Sequence, residues 1–243
     1  MNDWLRECFE KDQLYHLYQP IWDLTNWNIL GYESLVRVRQ MEFIDIQSLF
    51  QTARNENYLY ELDTFLIENS IVHFPRIFFR QRLLFLNIFP STLCNTGFRN
   101  YLIRLVESYP FIQKRIVFEL NETNCEDWYW GANSFKETIS MLKNFGFYIA
   151  LDDVGSGTCS LEKILELCPD YIKLDRQYAA GLARNRENQQ FIIDVMKNLP
   201  GDTHVILEGI EKEEDLAKSK LLKIPIGQGF LLGEPQSFEL EWR

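Results

Sequence analysis

The sequence predicts an α/β fold: a closed (β/α)8 barrel whose first two strands pair antiparallel. Three observations carry that prediction. Short apolar runs, rich in β-branched and aromatic residues, recur through the 243-residue chain, and helical spacing of apolar residues follows most of them. The length is what such a barrel needs. The runs also end, one after another, on carboxylate, amide or ammonium side chains, as expected where strand ends of a barrel converge on one face.

Taken in order, Leu14–Leu24 (LYHLYQPIWDL) reads as the first strand, closed by a turn near Asn26-Trp27-Asn28. Ile29–Val38 (ILGYESLVRV) reads as its partner, and the connection is too short for a parallel crossover. Helices are expected over Ile46–Asn55 and Leu59–His73. Strands follow at Leu83–Leu86, ending in Asn87; at Ile116–Phe118, ending in Glu119; and at Phe147–Leu151, ending in Asp152 and Asp153. Tyr171–Leu174 carries Lys173, His204–Leu207 ends in Glu208, and a short run near Ile224–Ile226 leads to Gln228. Helices fit Phe98–Ser108, Ser134–Asn144, Ser160–Leu167, Gln177–Asn198 and Glu213–Leu222. The stretch from Phe145 to Arg176 is a complete strand–loop–helix–strand unit, the crossover of a parallel sheet. The alternation continues to the end without a linker, so residues 1–243 are expected to form a single domain.

Composition narrows the function classes. The net charge is −10, which argues against a DNA- or RNA-polymer binder, where a basic face is the footprint. The five cysteines (Cys8, Cys94, Cys125, Cys159, Cys168) form no CxxC pair, so neither a structural zinc nor a disulfide framework is expected, and a reducing cytoplasm fits. The N-terminus MNDWLRECFEKDQ has no apolar core of a signal peptide, and no run reaches bilayer length, so no membrane association is expected.

The chemistry-bearing set is Glu33, Asn87, Glu119, Asp152, Asp153, Lys173, Glu208 and Gln228, all at or near strand ends. Adjacent carboxylates such as Asp152 and Asp153 repel unless a cation lies between them. Hard oxygen donors suit Mg²⁺ or Mn²⁺ rather than a soft metal, and none of His16, His73 and His204 competes. Singly, each residue also has a plain reading. Asp152 or Asp153 would serve as a helix N-cap. Gly155-Ser156-Gly157 matches neither phosphate-loop pattern and reads as a turn sooner than as a phosphate cradle. Lys173 would sit at the surface, although a lysine inside an apolar strand is unusual. Trp128–Trp130 reads as loop packing or as a base-stacking element.

As a set, the motifs resemble the EAL domain family, the cyclic di-GMP phosphodiesterase module of bacterial signalling. The matches are YQP at Tyr18–Pro20, ESL at Glu33–Leu35 with Ser34 in place of the usual Ala, and LNIFP at Leu86–Pro90. ELNE at Glu119–Glu122, DDVGSG at Asp152–Gly157 and KLDR at Lys173–Arg176 follow, then LEGIE at Leu207–Glu211 and QGFLLGEP at Gln228–Pro235. The resemblance covers nearly the whole chain. It implies a modified TIM-like barrel with an antiparallel first strand, two divalent cations (Mg²⁺ or Mn²⁺), hydrolysis of cyclic di-GMP to linear pGpG, and a homodimer. By matched position, Glu33, Asn87, Glu119 and Asp152 would hold the first cation, and Asp152, Asp153 and Glu208 the second. Lys173 would sit beside the attacking water, with Glu208 as the other candidate for general base. Arg37 would pair with a phosphate. Gln19, Leu35, Asp175, Gln228 and Pro235 would contact guanine or ribose, Glu122 would brace the loop after Asp153, and Glu211 would support the site. No cyclase motif or sensor segment precedes these matches, so a stand-alone module is expected.

Val154, Thr158, Cys159 and Glu234 depart from the family pattern, the first three in the loop that carries Asp153. That loop motivates a rival expectation, a non-catalytic cyclic di-GMP receptor that signals through an unidentified protein partner. The acidic stand-alone chain motivates a third, a protein-interaction module without nucleotide.

Overall fold

The computed structural model describes residues 13–39, 46–120, 126–155, 164 and 166–238. Eight strands close into a barrel in sequential order: β1 (Leu14–Asp23), β2 (Asn28–Val38), β3 (Leu83–Ile88), β4 (Ile116–Leu120), β5 (Tyr148–Val154), β6 (Tyr171–Leu174), β7 (His204–Leu207) and β8 (Ile226–Gly227). The first strand pairs antiparallel with both neighbours, β2 and β8. All other pairings, β2 through β8, are parallel. The tight Leu24–Trp27 turn dictates this reversal, because four residues cannot make a crossover.

The period of two along a strand builds two apolar layers. Ile21, Leu83, Phe85, Val117, Ala150, Tyr171, Ile206 and Ile226 pack together on the barrel axis. Their neighbours in sequence, such as Leu84, Leu86, Phe118, Ile149, Leu151 and Leu207, belong to the larger outer layer under the helices. Burial on both faces is why these strands read as unbroken apolar runs. The covering helices are α1 (Ile46–Asn55), α2 (Leu59–His73), α3 (Phe98–Ser108), α4 (Asn133–Asn144), α5 (Arg186–Asn198) and α6 (Glu213–Leu221).

Most expected elements stand within two residues of their predicted limits, with three differences. The helix expected over Ser160–Leu167 lies mostly outside the described residues; Ile164, Glu166 and Leu167 are helical. The segment expected as one helix over Gln177–Asn198 is a 3-10 turn (Arg176–Tyr178), further turns, and then α5. The Asn185 side chain accepts from Asn188 N and starts α5 there. Asp215 accepts from the backbone N–H groups of Gly181 and Ala183 and holds the preceding turns out of the helix. Finally, β5 does not stop before its two acids but runs through them to Val154. Among the described residues no helix is long and apolar enough to cross a membrane.

Candidate active site

The site is the next layer of the barrel above the axial core. Each strand from β3 to β8 carries a polar residue two positions beyond a core residue, so both project inward. Phe85 precedes Asn87, Val117 precedes Glu119, Ala150 precedes Asp152, Tyr171 precedes Lys173, Ile206 precedes Glu208 and Ile226 precedes Gln228. On the reversed first strand the order inverts, and Gln19 lies two residues before Ile21. On β2, Glu33 stands directly across from Gln19.

Lys173 is the centre of this layer and is fully buried. Its Nζ lies 2.7 Å from Glu208, 2.9 Å from Glu119, 3.3 Å from Asp152 and 3.5 Å from Glu33. Burial alone would lower the Lys173 ammonium, but the carboxylates of Asp152, Glu119, Glu208 and Glu33 together hold it well above its ordinary range. The acids are pushed the other way. Burial raises Glu119 well above the ordinary carboxylate range against the pull of Lys173. Asp152 is raised for the same reason. Glu208 is pushed up to about 8, by burial first. One ammonium therefore offsets only part of the charge of four surrounding acids.

A hydrogen-bonded chain fixes the remaining members. Gln228 Nε2 donates to Glu33 Oε2 at 2.7 Å and to Gln19 Oε1 at 3.1 Å. Gln19 Nε2 donates in turn to Gly233 O at 3.1 Å. Asn87 Nδ2 donates to Glu119 Oε2 at 3.3 Å.

Two consecutive acids of a regular strand would face opposite sides of the sheet, but here the strand is irregular. The register between β5 and β6 shifts between Leu151 and Val154, and Asp153 adopts a left-handed φ of 53°. The bulge turns Asp153 back toward the rim. As a result Asp152, Asp153 and Glu208 each offer a carboxylate oxygen, all within 4.8 Å of one another. Asp153 is raised by burial and by the neighbouring Asp152 carboxylate. Three converging hard oxygen donors with a charge excess fit a divalent cation such as Mg²⁺ or Mn²⁺.

Two cavities open on this rim. One, of about 280 Å³, is lined by Glu33, Asp152, Lys173, Arg176, Glu208 and Glu211, with Gln19, Gln228 and Phe230 closing it. The other, of about 530 Å³, is mostly apolar, walled by residues such as Phe50, Leu66, Ile88 and Phe89, with Leu35, Arg37, Asn87 and Asp153 among its polar and rim-facing lining. The Arg37 guanidinium also donates to Val36 O at 2.8 Å. Asp175 turns its carboxylate to Gln177 N at 2.8 Å. Pro235 lies on the segment that Gln236 ties to Tyr18 and lines neither cavity. Glu122 lies outside the described residues. The large cavity also exposes an acid that sequence reasoning missed. Asp63 of α2 is buried, accepts from Phe89 N at 2.9 Å, and is pushed up to about 7 by burial. Its signal was legible: Asp63 falls on the same helical face as Leu59, Leu62 and Leu66, where an acid is out of place.

Comparison with known proteins gives the same picture. The family model described as EAL domain matches residues 2–235. The probable cyclic di-GMP phosphodiesterase PdeI of Escherichia coli (strain K12) is 28% identical over 248 residues, covering 96% of this chain and 30% of PdeI. Cyclic di-GMP phosphodiesterase PdeF of the same organism is 23% identical over 245 residues, covering 97% of this chain and 32% of PdeF. The chain thus spans about a third of the length of these relatives. Among solved structures, the PaMucR phosphodiesterase in complex with c-di-GMP superposes with a TM-score of 0.83 at 20% identity, covering 97% of this chain and 96% of that one. The EAL enzyme Bd1971 in its cAMP- and cyclic-di-GMP-bound form gives 0.84 at 20% identity, covering 97% of this chain and 65% of that one. A sequence model that fits almost end to end, and a closed barrel of the same architecture with the acid layer on its rim, lead to one assignment: this chain belongs to the EAL domain family.

Proposed function

We propose that this chain is a metal-dependent phosphodiesterase that hydrolyses cyclic di-GMP to linear pGpG. The observation that carries the reading is the buried ring of acids around Lys173, with Asp152, Asp153 and Glu208 converging at its edge. The family membership and the printed activities of PdeI and PdeF support it. In this reading residues 1–243 act as one barrel unit, cytoplasmic and homodimeric, as the family likeness implies.

Glu33, Asn87, Glu119 and Asp152 would hold a first divalent cation, and Asp152, Asp153 and Glu208 a second. When bound, the pair supplies Lewis-acid polarisation of the phosphodiester and a lowered pKa for the attacking water. The protein's own groups do the rest. Lys173 spaces the carboxylates, and its N–H groups would face the oxygen that attacks phosphorus. Gln228 orients the Glu33 carboxylate through its 2.7 Å bond. Arg37 has guanidinium N–H groups to spare beyond its bond to Val36 O, and these suit a phosphate oxygen. The mostly apolar cavity beside it is large enough for a purine base, with Asp63 as a polar contact. Gln19, Leu35, Asp175 and Pro235 complete the proposed nucleotide contacts, and Glu122 and Glu211 support the rim. Water adds its oxygen to phosphorus and gives up a proton, one P–O ester bond breaks, and the departing ribose oxygen takes up a proton.

Purified protein with Mg²⁺ or Mn²⁺ and cyclic di-GMP should release pGpG, seen by chromatography. A folded sample that yields none with either metal refutes the reading. A receptor function is the second reading, favoured by Lys173, whose contacts already offset part of the acids' charge without any cation. Calorimetry in EDTA separates the two: tight nucleotide binding that needs no metal, without turnover, supports the receptor.

A further inference from the structure

We infer that Tyr178 is a positioning residue for Asp153, acting through the backbone of Gly155; the inference rests on the metal-dependent reading above. Tyr178 ends the 3-10 turn that follows β6 and Lys173. Its hydroxyl donates to Gly155 O at 2.7 Å, and Gln177 Nε2 adds a longer bond of 3.3 Å to the same carbonyl. The ring is stacked on Phe191 of α5, with centroids 4.2 Å apart and planes 10° from parallel. A helix of the outer layer therefore fixes where the hydroxyl stands.

The carbonyl it holds belongs to an unusual stretch of backbone. Asp153 has φ 53° and Gly155 has φ 97°, both left-handed. For aspartate that conformation is uncommon and carries a cost. At Gly155 a side chain is excluded twice, because an added Cβ would fall 2.5 Å from the Tyr178 ring. The ladder to β6 gives little support here: after the register shift only Val154 pairs, with Leu174, and the Asp175 N–H reaches Val154 O at a long 3.4 Å. Tyr178 thus clamps the residue next to that last pair, two positions beyond Asp153. Asp153 N donates to Asp152 Oδ1 at 3.0 Å, and removal of the Tyr178 hydroxyl takes away a second hold on residues 153–155 and favours relaxation toward right-handed backbone. That rotation would carry the Asp153 carboxylate out of the cluster it forms with Asp152 and Glu208.

The test is Tyr178→Phe in the full chain, which keeps the ring and its stacking and deletes one oxygen. Mn²⁺ binding is measured by isothermal titration calorimetry, and cyclic di-GMP turnover is followed against Mn²⁺ concentration. Loss of one hydrogen bond should weaken the lower-affinity Mn²⁺ step about fivefold. Saturating Mn²⁺ should restore the wild-type kcat, with KM for the nucleotide unchanged. Gln177→Ala should shift the same step in the same direction by less. Superposable wild-type and Tyr178→Phe isotherms would overturn the inference, as would a loss seen only in melting temperature or a kcat that saturating Mn²⁺ does not restore. Those results leave the enzymatic reading standing if the wild type still makes pGpG. A wild type that neither takes up Mn²⁺ nor makes pGpG overturns both.

Discussion

Lys173→Met is the most demanding perturbation of the proposed site. Methionine has nearly the same length but no charge, so the change deletes an ammonium that four carboxylates share at 2.7–3.5 Å. At an effective dielectric near 20, each such contact carries on the order of 5 kcal/mol of attraction before costs. Desolvation of the ammonium and repulsion among the acids offset most of this, and protonation of Glu208 and Glu119 relieves more. The net loss should fall near that of a broken buried ion pair, about 3–5 kcal/mol. For a chain of this length that corresponds to a drop in melting temperature of roughly 10 °C. The assay is thermal unfolding of wild type and variant, each in EDTA and in excess Mn²⁺. In EDTA the variant should melt lower. In Mn²⁺ the gap should narrow, because the cations take over the uncompensated carboxylates. Turnover, measured in Mn²⁺ where the wild type is expected to be active, should be lost in the variant, since no ammonium faces the attacking oxygen. Equal melting temperatures in EDTA would refute the claim that Lys173 holds the acid ring together, and retained turnover would refute its place beside the reaction.

Three further expectations follow from the geometry. Glu33→Ala should cut hydrolysis about 100-fold or more by removing a proposed ligand, while the circular dichroism spectrum stays native because Glu33 sits above the apolar core rather than in it; wild-type turnover would show the site to be misassigned. Gly209→Ala should destabilise by about 1–3 kcal/mol in urea unfolding and depress turnover, because Gly209 has φ 72° and an added Cβ would fall 2.4 Å from Arg176 Cβ, displacing the peptide next to Glu208. His16 should give the fold an acid-labile component. Its pKa is pushed down to about 4 by burial first and by His73 second. The unfolded chain takes up a proton near pH 6.5 and the native one only near 4, so stability is intact above that window and falls as the pH drops through it, by about 3 kcal/mol in all. The slope should flatten in His16→Leu, measured by urea unfolding between pH 7 and pH 4.

The strands were legible because their signal is local. An apolar run buried on both faces needs no partner to be recognised, and Tyr171–Leu174 and His204–Leu207 begin and end where the sequence predicts. The last strand was misplaced by two residues: Ile226–Gly227 is held by register with β1 and β7, not by its own composition. The break in Gln177–Asn198 was hidden because the acid that causes it, Asp215, lies on another helix. Asp63 belongs to no motif, and the apolar period of its helix, carried by Leu59, Leu62 and Leu66, hides it. The bulge that unites Asp152 with Asp153 left no mark in the sequence, where the two simply appear to follow a finished strand.

By itself the sequence determined the order of the strands, the reversal of the first one, and the placing of polar side chains at or near the strand ends. All three depend on steps of a few residues along the chain, which periodicity and turn length record. Only the tertiary structure decided that four carboxylates meet on one ammonium, that Gln228 reaches Glu33 across the closing seam of the barrel, and that Asp153 bends back to join Glu208. These are contacts between strands far apart in sequence, created when curvature closes the sheet on itself, and no local pattern encodes the distance across a barrel.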